Sequence, residues 1–234
     1  ASVGRDGGHY LDRLRQLGIS TEHVAVLEDC YTAQCTIMTD QQQNQITAFH
    51  PGAMSHAHLN PVPADTPITL AIVSPNGKEA MQQHAQQLHA AGIPFVFDPG
   101  QGLPLFNGEE LQQLVDLATW VTVNDYEAHL LCERLGYDRA ALSRQLRGLV
   151  VTLGEQGCEV WVDGACREVA AVTPAAVVDP TGCGDAWRGA LLYGLEQGWD
   201  LVRCAKLGNY LGALKIAHRG PQNYQVDPQV VAGY

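Results

Sequence analysis

Val178-Asp179-Pro180-Thr181-Gly182-Cys183-Gly184-Asp185-Ala186-Trp187-Arg188-Gly189-Ala190 reads as a turn that runs directly into a helix. Gly182 and Gly184 permit backbone geometry that a Cβ would obstruct and let the main chain come close to a ligand. Behind them Ala186, Ala190, Leu191, Leu192 and Leu195 recur at helical spacing, and Gly198 ends the run. The first turn of such a helix offers unpaired N–H groups and the positive end of a dipole. That is a site for an anion, phosphate above all. Asp185 falls in the same turn, where its carboxylate can take a proton from an attacking hydroxyl.

The residues ahead of this stretch alternate between strand and helix patterns. Strands are expected at Ile68–Val73, Ile93–Phe97, Trp120–Val123 and Leu149–Leu153. Helices are expected through Met81, Ala85 and Leu88, from the capping box Asn107-Gly108-Glu109-Glu110 to Ala118, over Tyr126–Leu135 and over Arg139–Leu146. This alternation predicts an α/β fold with a mainly parallel sheet covered on both faces. Ligands in such folds sit beyond the carboxyl ends of the strands, and Asp98, Asn124, Gly154 and Asp179 are all expected there. Cys158–Val162 and Cys166–Ala170, joined at Asp163-Gly164, read as an antiparallel hairpin continuing the sheet edge. A second helix from about Leu201 to Ala217 follows the phosphate-site helix.

Residues 24–49 differ in character. Val24–Val26, Gln34–Thr39 and Gln45–Phe49 are short β-prone runs, with Asp40–Asn44 as a polar turn, and read as a small antiparallel sheet set apart. Cys30 and Cys35 are expected on its strands. Phe49 either faces a substrate or packs at a strand end. The opening Ala1–Gly8 reads as a strand end and a Gly turn before a helix from His9 to Leu17, so sequence is expected upstream.

The chain has 234 residues, 46% hydrophobic and 17% charged, as a globular protein does. A net charge of -11 argues against nucleic acid and anionic membrane surfaces as partners. No apolar run reaches the length of a membrane helix. Seven cysteines without CxxC spacing fit reduced thiols in a cytoplasm. His50, His56 and His58 lack a supporting carboxylate or Cys pattern and read as loop histidines.

Two further motifs carry chemistry. Asn124-Asp125-Tyr126-Glu127 places an amide and a carboxylate one helical turn apart, a pair suited to holding Mg²⁺ through waters; alone, it is also an ordinary helix cap. Thr152-Leu153-Gly154-Glu155-Gln156-Gly157 is a strand followed by a Gly turn. Together with Asp179-x-Thr181-Gly182-x-Gly184-Asp185, these motifs resemble the ribokinase-like (PfkB) carbohydrate and nucleoside kinases. Phe97–Gln101, Ile46–Met54 and the wording of the 179–185 string are most similar to the bacterial adenosine-kinase-type members. Pro180 and Cys183 depart from the family's commoner Thr and Ala, and Cys183 keeps a backbone N–H.

The resemblance implies a three-layer αβα sandwich with a small β lid: residues 1–23 and 50–234 form the kinase core and residues 24–49 part of the lid. It implies Asp185 as catalytic base and Gly182, Cys183 and Gly184 as the anion hole. Thr152, Gly154, Gly157, Asn124, Asn209 and Gly212 would bind the nucleotide, and Phe49 with Asp185 the acceptor. Gly208 and Gly212 equally suit close helix packing. Glu127 and Asn124 would hold Mg²⁺ through water, and Asp179 and Thr181 a K⁺ ion. The implied activity is transfer of the γ-phosphate of ATP to a primary hydroxyl of an adenosine-like nucleoside. A sugar or sugar phosphate is the alternative acceptor, and a non-catalytic nucleotide-binding or interaction fragment is the alternative of another class. A homodimer through the lid is implied as well. Family members carry sequence ahead of this chain's first residue, including further sheet and lid strands, an Asp that binds acceptor hydroxyls and a Gly-Gly pair, so an N-terminal part is expected to be missing.

Overall fold

A computed structural model describes residues 1–39 and 45–234, so the turn expected at 40–44 lies outside the described residues. The chain divides into two compact units, residues 1–67 with 75–91, and residues 68–74 with 92–234.

In the first unit, β1 (Ser2–Gly4) leads through α1 (Gly8–Gln16) to β2 (Ala25–Leu27). β2 pairs parallel with β1, Ser2 opposite Ala25. This corrects the expectation that residues 24–26 join an antiparallel sheet: α1 makes a crossover, and a crossover returns the chain parallel to its start. Among the described residues of the first unit, β3 (Gln34–Thr39) and β4 (Gln45–His50) are the strands that pair antiparallel. Cys35 lies on β3, whereas Cys30 lies in a bend rather than on a strand. The Gly-Arg-Asp-Gly-Gly turn is pinned by Asp6, whose Oδ1 accepts from Thr32 N and Oγ1, both at 2.7 Å. A 3₁₀ segment, Gly52–Leu59, packs on α2 (Lys78–Ala90). Pro51 and the small, polar run behind it show no helical period, which is why the sequence does not announce this segment.

The second unit holds a six-stranded sheet in the order β10-β9-β8-β7-β6-β5. β5 (Ala71–Val73), β6 (Phe95–Phe97), β7 (Trp120–Asn124) and β8 (Gly148–Thr152) run parallel. β9 (Cys158–Val162) and β10 (Ala165–Val169) add the antiparallel edge hairpin. Between them come α3 (Gly108–Leu117), α4 (Asp125–Leu135) and α5 (Arg139–Ser143), and after them α6 (Cys183–Glu196), α7 (Leu201–Ile216) and α8 (Pro228–Ala232).

Side chains alternate across a strand, and both faces of this sheet are covered. Val96, Val150 and Val160 are buried with Trp187 and Leu191 of α6 and Cys204 and Ala205 of α7. The alternate residues Phe95, Phe97, Val121, Leu149 and Val151 are fully buried too, and α4 lies against β7 and β8. This is the three-layer α/β arrangement. Among the described residues, no helix is long and apolar enough to cross a membrane.

Candidate active site

The carboxyl edge of the parallel sheet gathers the chemistry of the second unit. Asp98 directly follows β6, Asn124 ends β7, and Thr152 ends β8 with Gly154 two residues beyond. Since β6, β7 and β8 are adjacent and parallel, these residues stand side by side. Asp179 is different from what the sequence predicts: residues 170–182 form no strand. The N–H groups of Val178 and Asp179 instead donate to Ile216 O, at 2.9 and 3.1 Å, at the end of α7.

Gly182 takes a left-handed conformation, φ +84°, ahead of α6, and a Cβ there would stand 2.7 Å from Pro221 Cβ. This turn starts the helix at Cys183. The N–H of Cys183 donates to Pro180 O at 3.1 Å. Those of Gly182, Gly184 and Asp185 have no acceptor among the described residues, so they remain for an anion. Asp185 sits in the first turn with its side chain 84% exposed.

Three residues on, Arg188 stands 3.8 Å from Asp185 Oδ1. Its guanidinium also embraces Asp98: Nη2 donates to Oδ1 at 3.1 Å, and Nε lies against Oδ2. Asp98 is 1% exposed. Burial pushes its carboxyl up to about 6 despite Arg188, with the charges of Glu127 and Asp185 adding to the rise. The sequence places Asp98 at a strand end but does not show its pairing with Arg188. Its signal was an Asp buried at a strand end, which requires a cation, and an Arg three residues from Asp185 on one helix face.

The Asn-x-x-Glu motif is a reciprocal cap. Asn124 Oδ1 accepts from Glu127 N, and Glu127 Oε2 from Asn124 N, both at 2.8 Å. The ordinary reading of this motif therefore holds, and Glu127 is buried at the sheet edge as well. One Glu127 oxygen and a second Asn124 lone pair are left, acceptors that suit the waters of a phosphate-bound Mg²⁺. Beside them an open groove of about 470 Å³ is lined by Asn124–Tyr126 and Thr152–Gln156. Its floor is a turn closed by Gly157, φ +95°, where a Cβ would fall 2.1 Å from Val169 O.

Asn209 is buried, and its amide is committed within the protein. Nδ2 donates to Val169 O at 3.1 Å and Ala170 O at 2.9 Å, and Oδ1 accepts from Trp187 Nε1 at 3.0 Å. Gly208 packs against the Trp187 ring, where a Cβ would be 2.5 Å away, whereas the Gly212 position is open, with Cys183 O at 3.9 Å. Phe49 belongs to the first unit, on β4, with about half its surface exposed.

The oxygens offered to a monovalent cation are spent inside the protein. Asp179 Oδ1 accepts from Thr181 N at 2.9 Å, and Oδ2 from Gly220 N at 2.8 Å. The Gly220 and Thr181 N–H groups hold this carboxyl down at about 2. Asp179 O accepts from Lys215 Nζ at 2.6 Å, with Cys183 Sγ 4.0 Å away.

A strand-end carboxylate, a helix entry with free amides and an exposed aspartate are groups that suit phosphoryl transfer. Residues 1–227 match the profile of the pfkB family of carbohydrate kinases, and the chain belongs to that family. The nucleoside kinase of Methanothermobacter thermautotrophicus is 29% identical over 230 residues, 95% of this chain and 73% of the relative. A solved structure of Burkholderia thailandensis nucleoside kinase in complex with inosine is 46% identical, with a TM-score of 0.95 over 100% of this chain and 77% of that one. The ADP-inosine complex of the same enzyme gives 0.94 over 100% and 73%.

Proposed function

We propose that this protein transfers the γ-phosphate of ATP to a primary hydroxyl of a nucleoside. What carries the reading is the turn at Gly182–Asp185, where unspent amides and an exposed carboxylate share one helix entry in a chain similar to a nucleoside kinase solved in complex with inosine and with ADP-inosine.

Asp185 accepts the acceptor's hydroxyl proton as its oxygen bonds to the γ-phosphorus. The bond between that phosphorus and the β–γ bridging oxygen breaks, and ADP leaves with the electron pair. The amides of Gly182 and Gly184, joined by Cys183 when its bond to Pro180 opens, meet the charge on the transferring phosphoryl oxygens. Arg188 neutralises part of the local negative charge and is itself fixed by Asp98. Glu127 and Asn124 would hold Mg²⁺ through water, and the ion, when bound with the nucleotide, would supply charge neutralisation on the phosphates.

Thr152, Gly154 and Gly157 shape the groove beside the nucleotide. Asn209 acts at one remove, by fixing Trp187 and the end of β10, and Gly212 leaves space next to Cys183. The lid assignment of residues 24–49, with Phe49 as acceptor-binding residue, pairing of two copies through that lid and a cytoplasmic location belong to the same proposal.

The test is ATP turnover against a panel of nucleosides and sugars, followed by Asp185→Asn. Inosine and adenosine should be phosphorylated in preference to ribose and fructose. The variant should lose about 10²–10⁴-fold in kcat while ADP still binds. Turnover of sugars alone would move the assignment to a sugar kinase. ADP binding with no acceptor-dependent turnover would make the chain a nucleotide-binding module.

A further inference from the structure

Lys215 is a fully buried ammonium-bearing side chain, 0% exposed, at the end of α7. Burying a charge without partners costs far more than a fold can spare, so its surroundings identify its task. Nζ donates to Asp179 O at 2.6 Å and to His218 O at 3.2 Å. Both acceptors are main-chain carbonyls. One belongs to the segment that leads into the anion hole, the other to the loop after α7. The same two segments are cross-linked by Gly220 N on Asp179 Oδ2 and by Val178 N and Asp179 N on Ile216 O.

A buried cation held by carbonyl oxygens from two loops is what a monovalent metal site provides. Here the oxygens of Asp179 that such an ion needs are already taken by Lys215, Thr181 and Gly220. The residues at this position do not fit a K⁺ ion.

We infer that the Lys215 ammonium stands in place of a monovalent cation, locking the two loops behind the anion hole so that phosphoryl transfer needs no K⁺. Lys215 touches neither nucleotide nor acceptor. It is a positioning residue that fixes Asp179 and, through Pro180 and Thr181, the left-handed turn at Gly182. An ammonium is a compact point charge with several donors, so it replaces an ion of similar size and charge without rebuilding the loops. The proposal rests on the kinase reading for its kinetic arm only.

The experiment compares the protein in K⁺ and in tetramethylammonium at matched ionic strength, by thermal unfolding and by nucleoside phosphorylation. The wild-type midpoint and rate are expected to be the same in both salts. Lys215→Met, which keeps the length and removes the charge, should lose about 100-fold in rate through misplacement of the anion hole. K⁺ or NH₄⁺ should then raise both its midpoint and its rate, and tetramethylammonium, too large to enter, should raise neither. A merely structural lysine would not give rescue by small cations alone. Strong K⁺ activation of the wild type, a fully active Lys215→Met, or a folded variant indifferent to every small cation would each overturn the inference. If Lys215→Met does not fold, the wild-type comparison decides. If no acceptor is turned over, the kinase reading fails, and the unfolding midpoints still decide the role of Lys215.

Discussion

Asp98 and Asp179 both stand by the proposed phosphate site, and their surroundings push them in opposite directions. Burial raises Asp98 to about 6, and backbone N–H groups lower Asp179 to about 2. For Asp98 the folded state holds its proton more tightly than the unfolded chain, whose carboxyl titrates near 4. Stability contributed by the proton is therefore full below that value and lost as pH rises from about 4 to about 6. With Asp98 almost fully buried, the shift corresponds to about 3 kcal/mol. Asp179 works the other way: its contribution is present above about 4 and falls away toward its folded value of about 2. Urea unfolding between pH 4 and 6 should show stability falling with rising pH in the wild type. In Asp98→Asn that slope should flatten, whatever the variant's absolute stability. An unchanged slope would mean that another group titrates in this window.

At the scale of elements, two helices start with the same device and serve different ends. Asn107 with Glu110 caps α3, and Asn124 with Glu127 caps α4. Asn107→Ala and Asn124→Ala should each cost about 1 kcal/mol in unfolding free energy. Only Asn124→Ala should also raise the Mg·ATP concentration needed for half-maximal rate, because only that cap stands at the carboxyl edge of the sheet. Both boxes were legible in the sequence, since the signal is local: an Asn followed three residues later by a Glu ahead of an apolar run. The strands from residue 71 onward and the edge hairpin were legible for the same reason, within a few residues at their ends. The run that becomes β2 was legible too, but its parallel pairing was not, because its partner is β1, on the far side of α1. A three-residue strand carries too little pattern to reveal a partner so distant in sequence.

At the scale of the whole molecule, the anion-hole string, the Asn-x-x-Glu cap and the Gly turn at residues 154–157 could each be read from contiguous residues. The supports of the site could not. Asp98 and Arg188 lie 90 positions apart, Lys215 and Asp179 36 apart, and only folding brings them together. Lys215 went unremarked in the sequence because its acceptors are main-chain atoms, which carry no sequence signature.

Trp187 has a use beyond packing. Its indole is buried two positions from Asp185, with Nε1 on Asn209, so it is a fluorophore installed next to the proposed phosphate site. The chain has four tryptophans. With Trp120, Trp161 and Trp199 replaced by phenylalanine, the remaining emission should be blue-shifted in the free protein. It should change saturably when ADP is titrated, giving an optical record of nucleotide occupancy that needs no acceptor and no coupled enzyme. A spectrum indifferent to saturating ADP would mean that nucleotide loading leaves the start of α6 undisturbed.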